Sequence, residues 1–512
     1  MIQGKTTVLG AAESLAKLAL HPSALDARTG SRVIAGSVAL GVLGDALFYD
    51  AAAGLNVLLW TAALVGIYAL AWRGREQRPA AHQLVLFAAA LVFAAMAAWR
   101  GSPTLQALNL MAVFGCLTLA AALPARATLR RVSLLDLAVT GIGAGVAFAA
   151  SVPRVAIDGT WSRRVGIKSR ENTLVVSRVL LLMAPLLAGF GGLFVAADAV
   201  FESRVEGVLS MDVFPFWEHA FWFLGTGWFA CGLLWLGLVV EVPGEVEAEL
   251  PQDKRLKAVE TGVVLGSLVA LFAAFVLVQV RYLFGGESLV EETIGLTYAQ
   301  YARRGFFELV VASALLLPVL LAFDWARRRD KVAARVYKVL AGAVVLLLFV
   351  VMVSALQRMR VYMDAFGLTA LRLYAVAILL SLGGVFAWFL WTVLRERRNE
   401  FALGAGVAAV VALLALNVAS PDALIARTNT SRLADGRSFD AYHASQLGPE
   451  AAPVLAGRID RLDPDDACVV AEGLLAKWPD DSDGVRSWNL GRERARDAVK
   501  QRRAELLDAC PS

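Results

Sequence analysis

Residues 339–356 read VLAGAVVLLLFVVMVSAL, eighteen positions without a charged side chain. At 1.5 Å per helical residue such a run is about 27 Å long, close to the hydrocarbon thickness of a bilayer. It is one of about a dozen apolar stretches that fill the chain from Val33 to Asn417. The runs are rich in Leu, Val and Ala and do not alternate with polar residues, so they predict helices and not barrel strands. The fold class expected is all-α: a polytopic transmembrane helical bundle of 11–13 spans, followed by a small helical soluble domain. A content of 58% hydrophobic residues and a mean hydropathy of +0.61 over 512 residues agree.

The spans are expected near 33–49, 55–72, 82–99, 105–123, 134–152, 174–199, 216–240, 258–283, 301–323, 336–356, 370–394 and 401–418. The sequence divides into an N-terminal cytoplasmic segment (1–32), N-terminal transmembrane helices (33–152), a loop (153–173), a transmembrane core (174–418) and an extracytoplasmic helical domain (419–512). Glu13, Lys17, Asp26 and Arg28 interrupt the start and exclude a signal-peptide core there. After Pro421 charged residues dominate, and short helices are expected over Leu447–Leu455, Asp465–Trp478 and Asn489–Leu507.

The formal net charge is +5. Its simplest origin is the Lys and Arg of cytoplasmic loops. Basic clusters at Arg163–Arg170, Lys254–Lys257, Arg327–Lys331 and Arg395–Arg398 alternate with loops poor in Lys and Arg. This places the region after Asn417 outside. The clusters Arg73–Arg78 and Arg126–Arg131 prefer the inside as well, and twelve spans cannot satisfy both sets. Either one of the first five segments does not cross, or a span is missed.

Cys116 and Cys231 fall in apolar runs, while Cys468 and Cys510 flank the tail helices and can pair if the tail is outside. No CxxC pair occurs and the four histidines are scattered, so neither metal nor cofactor is indicated. Walker A, G-x-S-x-G and H-E-x-x-H motifs are absent. A basic domain with interleaved aromatics is absent too, which argues against nucleic acid as a partner. Asn429–Thr430–Ser431 matches a glycosylation sequon at a frequency that chance explains.

Charged residues at membrane depth are costly and mark functional or paired positions. Asp45 and Asp136 are single acids that serve as helix-end caps or buried partners. Arg178 and Glu260 lie one turn inside span ends, where snorkelling is favoured. Glu218–His219 suits an interfacial anchor or proton chemistry. The outer ends of the last five spans concentrate more. Tyr301, Arg304 and Glu308 share one helix face. Arg281, Arg358, Asp364, Arg372, Asp422 and Arg427 are assigned to the same membrane surface. They form either a set of ion pairs and caps or one ligand-binding concavity covered by the segment after Pro421.

Four strings carry a resemblance: RYLFGG (281–286), TYAQYARRGFFEL (297–309), YMDAFGLTALRLY (362–374) and NVASPDALIAR (417–427). They resemble the bacterial integral membrane family DUF4173, a domain of unknown function, over roughly Leu174 to Tyr442. The resemblance implies a polytopic helical membrane protein and no particular activity.

Three functions compete. The first is a non-enzymatic transporter-like or ligand-sensing module, with a small or lipidic ligand at the outer face. The second is a scaffold that recruits a protein through its C-terminal domain. The third is a membrane-embedded enzyme for a lipid-linked substrate, with Asp364, Glu308 or Glu287 as acid or base and arginines holding phosphate. In each the lipid bilayer is the obligatory partner.

Overall fold

The computed structural model describes residues 27–73, 79–123, 214–239, 255–284, 306–327, 330–479 and 484–510, with a few single positions between 137 and 183. Among these residues ten helices are long and apolar enough to cross a membrane. They are α1 (Ala27–Phe48), α2 (Leu55–Trp72), α3 (Ala81–Trp99), α4 (Pro103–Ala122), α5 (Phe214–Leu238), α6 (Ala258–Phe284), α7 (Phe306–Ala326), α8 (Lys331–Phe366), α9 (Ala370–Thr392) and α10 (Phe401–Ala419). The chain is an all-α, multi-pass membrane protein. The expected spans 134–152 and 174–199 lie essentially outside the described residues, as do Asp136 and Arg178.

Helices α1 to α5 enclose one core. Helices α1 and α5 run antiparallel, with Gly41 against Phe223 and Gly44 against Thr226. A Cβ on Gly44 would lie 2.0 Å from the Thr226 hydroxyl, so these backbones meet where only glycine fits. Two polar side chains in this core find backbone acceptors: Trp60 Nε1 donates to the Leu40 carbonyl at 3.0 Å, and Tyr68 donates to Leu233. Asp45 meets His219 Nδ1 at 2.7 Å, and Tyr49 stacks on the imidazole. The acid that the sequence left between cap and partner is therefore a partner of His219.

Helices α6 to α9 enclose a second core around Tyr337, Leu348, Met352, Phe386 and Phe389. Tyr337 donates to Leu320 O at 2.9 Å. Gln279 Oε1 accepts from Ser354 and, at 2.8 Å, from Arg358. Glu260 accepts the Lys257 amide at 2.7 Å, so it caps the start of α6. Helix α8 is 36 residues long and overshoots the apolar layer at both ends.

Helix α10 belongs to both cores. Phe401 is buried in the second, while Val410, Leu413 and Leu414 pack on the first. Near its end Asn417 and Asn109 of α4 exchange two amide hydrogen bonds, each 2.9 Å, with both residues fully buried. Arg100 adds a bond to the Asn417 carbonyl at 2.7 Å.

Short connections fix which helix ends share a face. One face collects Arg73, Arg255, Lys257, Arg327, Lys331, Arg395, Arg397 and Arg398. Contacts across it include Arg32 to the Ala71 carbonyl at 3.3 Å, Gln83 to Ala120 O at 3.1 Å and the Leu256 amide to Ala326 O at 2.9 Å. The opposite face collects the α1–α2, α3–α4 and α8–α9 turns and the end of α10. Arg73 of the first half thus shares a face with the described basic clusters of the second, while Arg126–Arg131 and Arg163–Arg170, which entered the conflict expected from twelve spans, lie outside the described residues. Leu123 ends on the basic face and Phe214 begins on the other, and nearly all of the chain between them lies outside the described residues.

The tail sits on that second face: α11 (Pro421–Ser431), α12 (Ala441–Ser445), α13 (Ala452–Ala456), α14 (Pro464–Lys477), α15 (Leu490–Gln501) and α16 (Arg503–Asp508). Ile425, Leu455, Val470, Leu474, Val499 and Leu506 form its core, which also takes in Leu368 from the α8–α9 turn. Asn429 clamps Leu368, accepting its N–H and donating to its carbonyl, both at 2.8 Å. Cys468 and Cys510 form a disulfide with Cα atoms 4.5 Å apart.

The Asn109–Asn417 pair is separable by a double-mutant cycle. Asn417→Leu strands the Asn109 amide and is expected to cost about 1–2 kcal/mol, with the double Leu variant recovering part of it. Thermal unfolding in detergent reads this out; strictly additive losses would show that the pair does not couple the halves.

Candidate functional site

The residues expected in one concavity separate. Tyr301 and Arg304 lie outside the described residues, and Arg281 is described only as a helical position near the end of α6. Glu308 is exposed in the first turn of α7. Arg358 turns inward to Gln279. Asp364 and Arg372 flank the α8–α9 turn. Arg372 donates to the carbonyls of Phe366, at 3.2 Å, and Gly367, and its guanidinium lies 4.1 Å from the Tyr362 ring. The Asp364 carbonyl accepts from Arg432 at 2.7 Å and Arg437 at 3.0 Å. Gly367 has φ 78°, and a Cβ there would lie 2.6 Å from Arg432. These contacts shape the turn and pin the tail to it. Arg427 is exposed, and its carbonyl accepts from Arg458 at 3.2 Å.

Asp422 has a different address. A shared membrane face did not imply shared helix ends, because the tail has two seats: the α8–α9 turn and the α3–α4 turn. Asp422 serves the second. Ser420 turns the chain at the end of α10 with φ 52°, Pro421 opens α11, and Asp422 in its first turn is driven under the tail, 5% exposed. Opposite it the chain between α3 and α4 presents Arg100, Gly101 and Ser102.

Around this contact the polar groups converge from four directions. Glu450 Oε1 accepts the Gly101 amide at 2.6 Å. Asn489 donates to the carbonyls of Ala97 and Arg100, both at 2.9 Å. The Tyr374 hydroxyl, from α9, is within electrostatic reach of Ser102, Asp422 and Glu450. His443, on α12, faces Asp422. Packing is close: a Cβ on Gly448 would lie 2.2 Å from Asp422 Oδ2.

The junction is under-satisfied. Asp422 Oδ2, Glu450 Oε2, Ser420 Oγ and His443 Nε2 are all buried without a hydrogen-bonding partner among the described residues. Burial pushes the Asp422 carboxyl above the ordinary carboxylate range, opposed by the Ser102 hydroxyl, the Gly448 N–H and His443. Burial raises Glu450 too; the Gly101 N–H and Arg100 resist, and the Asp422 charge adds to the rise. Arg100 is itself lowered by burial, while Glu450 supports its charge. Two carboxyls that disfavour joint ionisation, beside one buried guanidinium, form a protonation-sensitive contact between tail and bundle.

Cys468, Glu472 and Cys510 also cluster, with ligand atoms within 4.8 Å of one another. The two sulfurs are bonded to each other, so they offer no thiolates to a metal.

Sequence reasoning found Asp422 and missed Arg100, Ser102, Tyr374, His443 and Glu450. Arg100–Gly101–Ser102 falls between the expected spans 82–99 and 105–123, and Glu450 is one acid among many in the tail. The available signal lay in the strings 362–374 and 417–427, which already contain Tyr374, Asn417, Ser420 and Asp422.

No curated protein and no solved structure matches the chain. A family model described as a domain of unknown function, DUF4153, matches residues 87–457. It differs from the family that the four strings suggested, DUF4173, and reaches further toward the N-terminus, taking in most of α3 and all of α4. It spans the junction from Arg100 through Glu450. The chain belongs to the DUF4153 family of unknown function.

Proposed function

We propose that the protein is a non-enzymatic membrane module that senses protons or a small polar ligand through the seating of its tail. The observation that carries this is the Asp422–Glu450 junction: two buried acids on the tail, pressed on the Arg100–Ser102 turn, each with one oxygen unpartnered among the described residues. Protonation turns a carboxylate into a donor and relieves the repulsion between the two. A bound polar molecule could satisfy the same atoms.

The tail is on the extracytoplasmic side in this reading. Among the described loop residues Arg73, Lys257, Arg327, Lys331, Arg395, Arg397 and Arg398 lie on the opposite face, where the positive-inside rule puts cytoplasm, against Arg100, Arg358, Arg360 and Arg372 of the bundle on the tail's face. The Cys468–Cys510 disulfide independently fits an oxidising compartment. A scaffold role is the second reading. Exposed Tyr442 (72%) and Val485 (81%) on the tail favour it, as surface for a protein partner.

A topology reporter fused after Ser512 tests the sidedness. Activity from a reporter that matures only outside the cytoplasm is expected; activity confined to a cytoplasmic reporter overturns it.

The junction predicts a signed pH dependence. Folded-state values raised above the ordinary carboxylate value, about 4, mean that both acids stabilise the seated tail fully below that value. The contribution is lost as pH rises through the raised folded values. Amide exchange at Gly101, Ala451 and Arg492, corrected for intrinsic rates, should be slower at pH 5 than at pH 8. Asp422→Asn combined with Glu450→Gln should flatten the difference while keeping the Gly101 acceptor. Equal protection at both pH values in the wild type sinks the sensing proposal.

Glu450→Leu separates charge from packing. It leaves the Gly101 N–H without its acceptor and should lower stability by about 1–3 kcal/mol in detergent, whereas Glu450→Gln should cost less. Equal losses from the two would show that the hydrogen bond is not what seats the tail.

A further inference from the structure

On the opposite, basic face the ends of α7 and α8 and the segment after α9 surround a concavity of about 790 Å³. Its lining carries five cations and three acids: Arg327, Lys331, Arg335, Lys338 and Arg398 against Asp324, Asp330 and Glu396. All three acids are engaged. Asp324 pairs with Arg327 at 3.1 Å, Asp330 caps α8 by accepting the Ala333 amide at 2.7 Å, and Glu396 pairs with Lys338 at 2.7 Å. The Lys338 ammonium and then the Arg327 charge hold Glu396 below the usual carboxylate range, as expected of an acid already matched.

That leaves Lys331, Arg335 and Arg398 facing one concavity with no carboxylate partner among the described residues. Lys331, Arg335 and Lys338 follow one another at i, i+4 and i+7, so the first two turns of α8 turn a single cationic face into it. The site is also amphipathic. Val339 lies on its wall and is 63% exposed, at the point where α8 enters the apolar layer. Ala334 and Val393 line it as well. Cations above and apolar side chains below describe a ligand with a charged head and a hydrocarbon body.

We propose that this concavity binds the phosphate of an anionic phospholipid, with Lys331, Arg335 and Arg398 holding the headgroup and the acyl chains running down past Val339. The shared chemistry is a phosphate group. A soluble phosphate would use the same cations but draw nothing from the apolar wall, and this separates the two sources. The site is independent of the Asp422–Glu450 junction and of the sensing role.

The test uses the full-length protein in nanodiscs of phosphatidylcholine, with or without phosphatidylglycerol. Native mass spectrometry counts retained phosphatidylglycerol, and titration gives its affinity. Each basic residue near a bilayer surface contributes about fivefold, so Lys331→Gln, Arg335→Gln and Arg398→Gln together should weaken retention roughly a hundredfold. Arg360→Gln with Arg427→Gln, on the other face, should leave it unchanged. Loss in the first set alone supports the site. Retention by the triple variant, or equal loss in the control, overturns it. Displacement of phosphatidylglycerol by millimolar inorganic phosphate would overturn the lipid as the source of the phosphate. Should the triple variant fail to fold, the single variants, each expected to lose about fivefold, decide the question.

Discussion

The two halves of this membrane domain meet at one reciprocal amide pair, beside the packing of Val410, Leu413 and Leu414 on the first core. In hydrocarbon there is no water to satisfy a stranded side-chain amide, and apolar surfaces gain little from meeting one another because lipid is as apolar as they are. Two helix bundles with separate cores therefore need a specific reason to adjoin. Asn109 and Asn417 supply it, each fully buried and each both donor and acceptor to the other. Arg100 extends the contact to the Asn417 carbonyl and brings the α3–α4 turn under the tail. The junction of Asp422 and Glu450 exists because this register is held.

From that anchor the order of events along the chain follows. Helix α10 enters on the basic face within the second core and leaves against the first. It then breaks at Ser420, where a left-handed backbone turns α11 across the bundle surface. The break sets Asp422 within the first turn of a new helix, where the helix N-terminus favours an anion while burial opposes one. The two tendencies conflict, and the Ser102 hydroxyl and Gly448 amide temper the conflict without removing it. Competing local preferences of this kind concentrate at functional positions.

Much of the membrane architecture was legible in the sequence, and for a simple reason. Length and continuous apolarity are local properties, so Leu55–Trp72 and the tail helix Pro464–Lys477 appear in the structure nearly where the sequence predicted them. The disulfide was legible because the tail contains only two cysteines, Cys468 and Cys510. Membrane face was less so, since parity accumulates every uncertainty along the chain. The junction was legible in part. Asp422 was visible as an acid just beyond a span, but Arg100 and Glu450 are 350 positions apart and nothing local in either announces the other. Asp364 and Arg372 were grouped with Asp422 because they share a membrane face. They attach to the α8–α9 turn, a separate foothold of the same tail.

That second foothold has a mechanical consequence. Leu368 is counted in the tail's core although it sits on the turn between two spanning helices, and Asn429 grips its amide and carbonyl together. The helix that arrives at this turn runs for 36 residues without a proline, from Lys331 to Phe366. It is a strut, about 54 Å long at the standard helical rise, with no built-in joint. The tail holds one end of it, and its other end forms a wall of the cationic concavity on the far face. The two surfaces of the membrane are thus bridged by one uninterrupted helix, gripped by the tail at one end and lining the cationic concavity at the other.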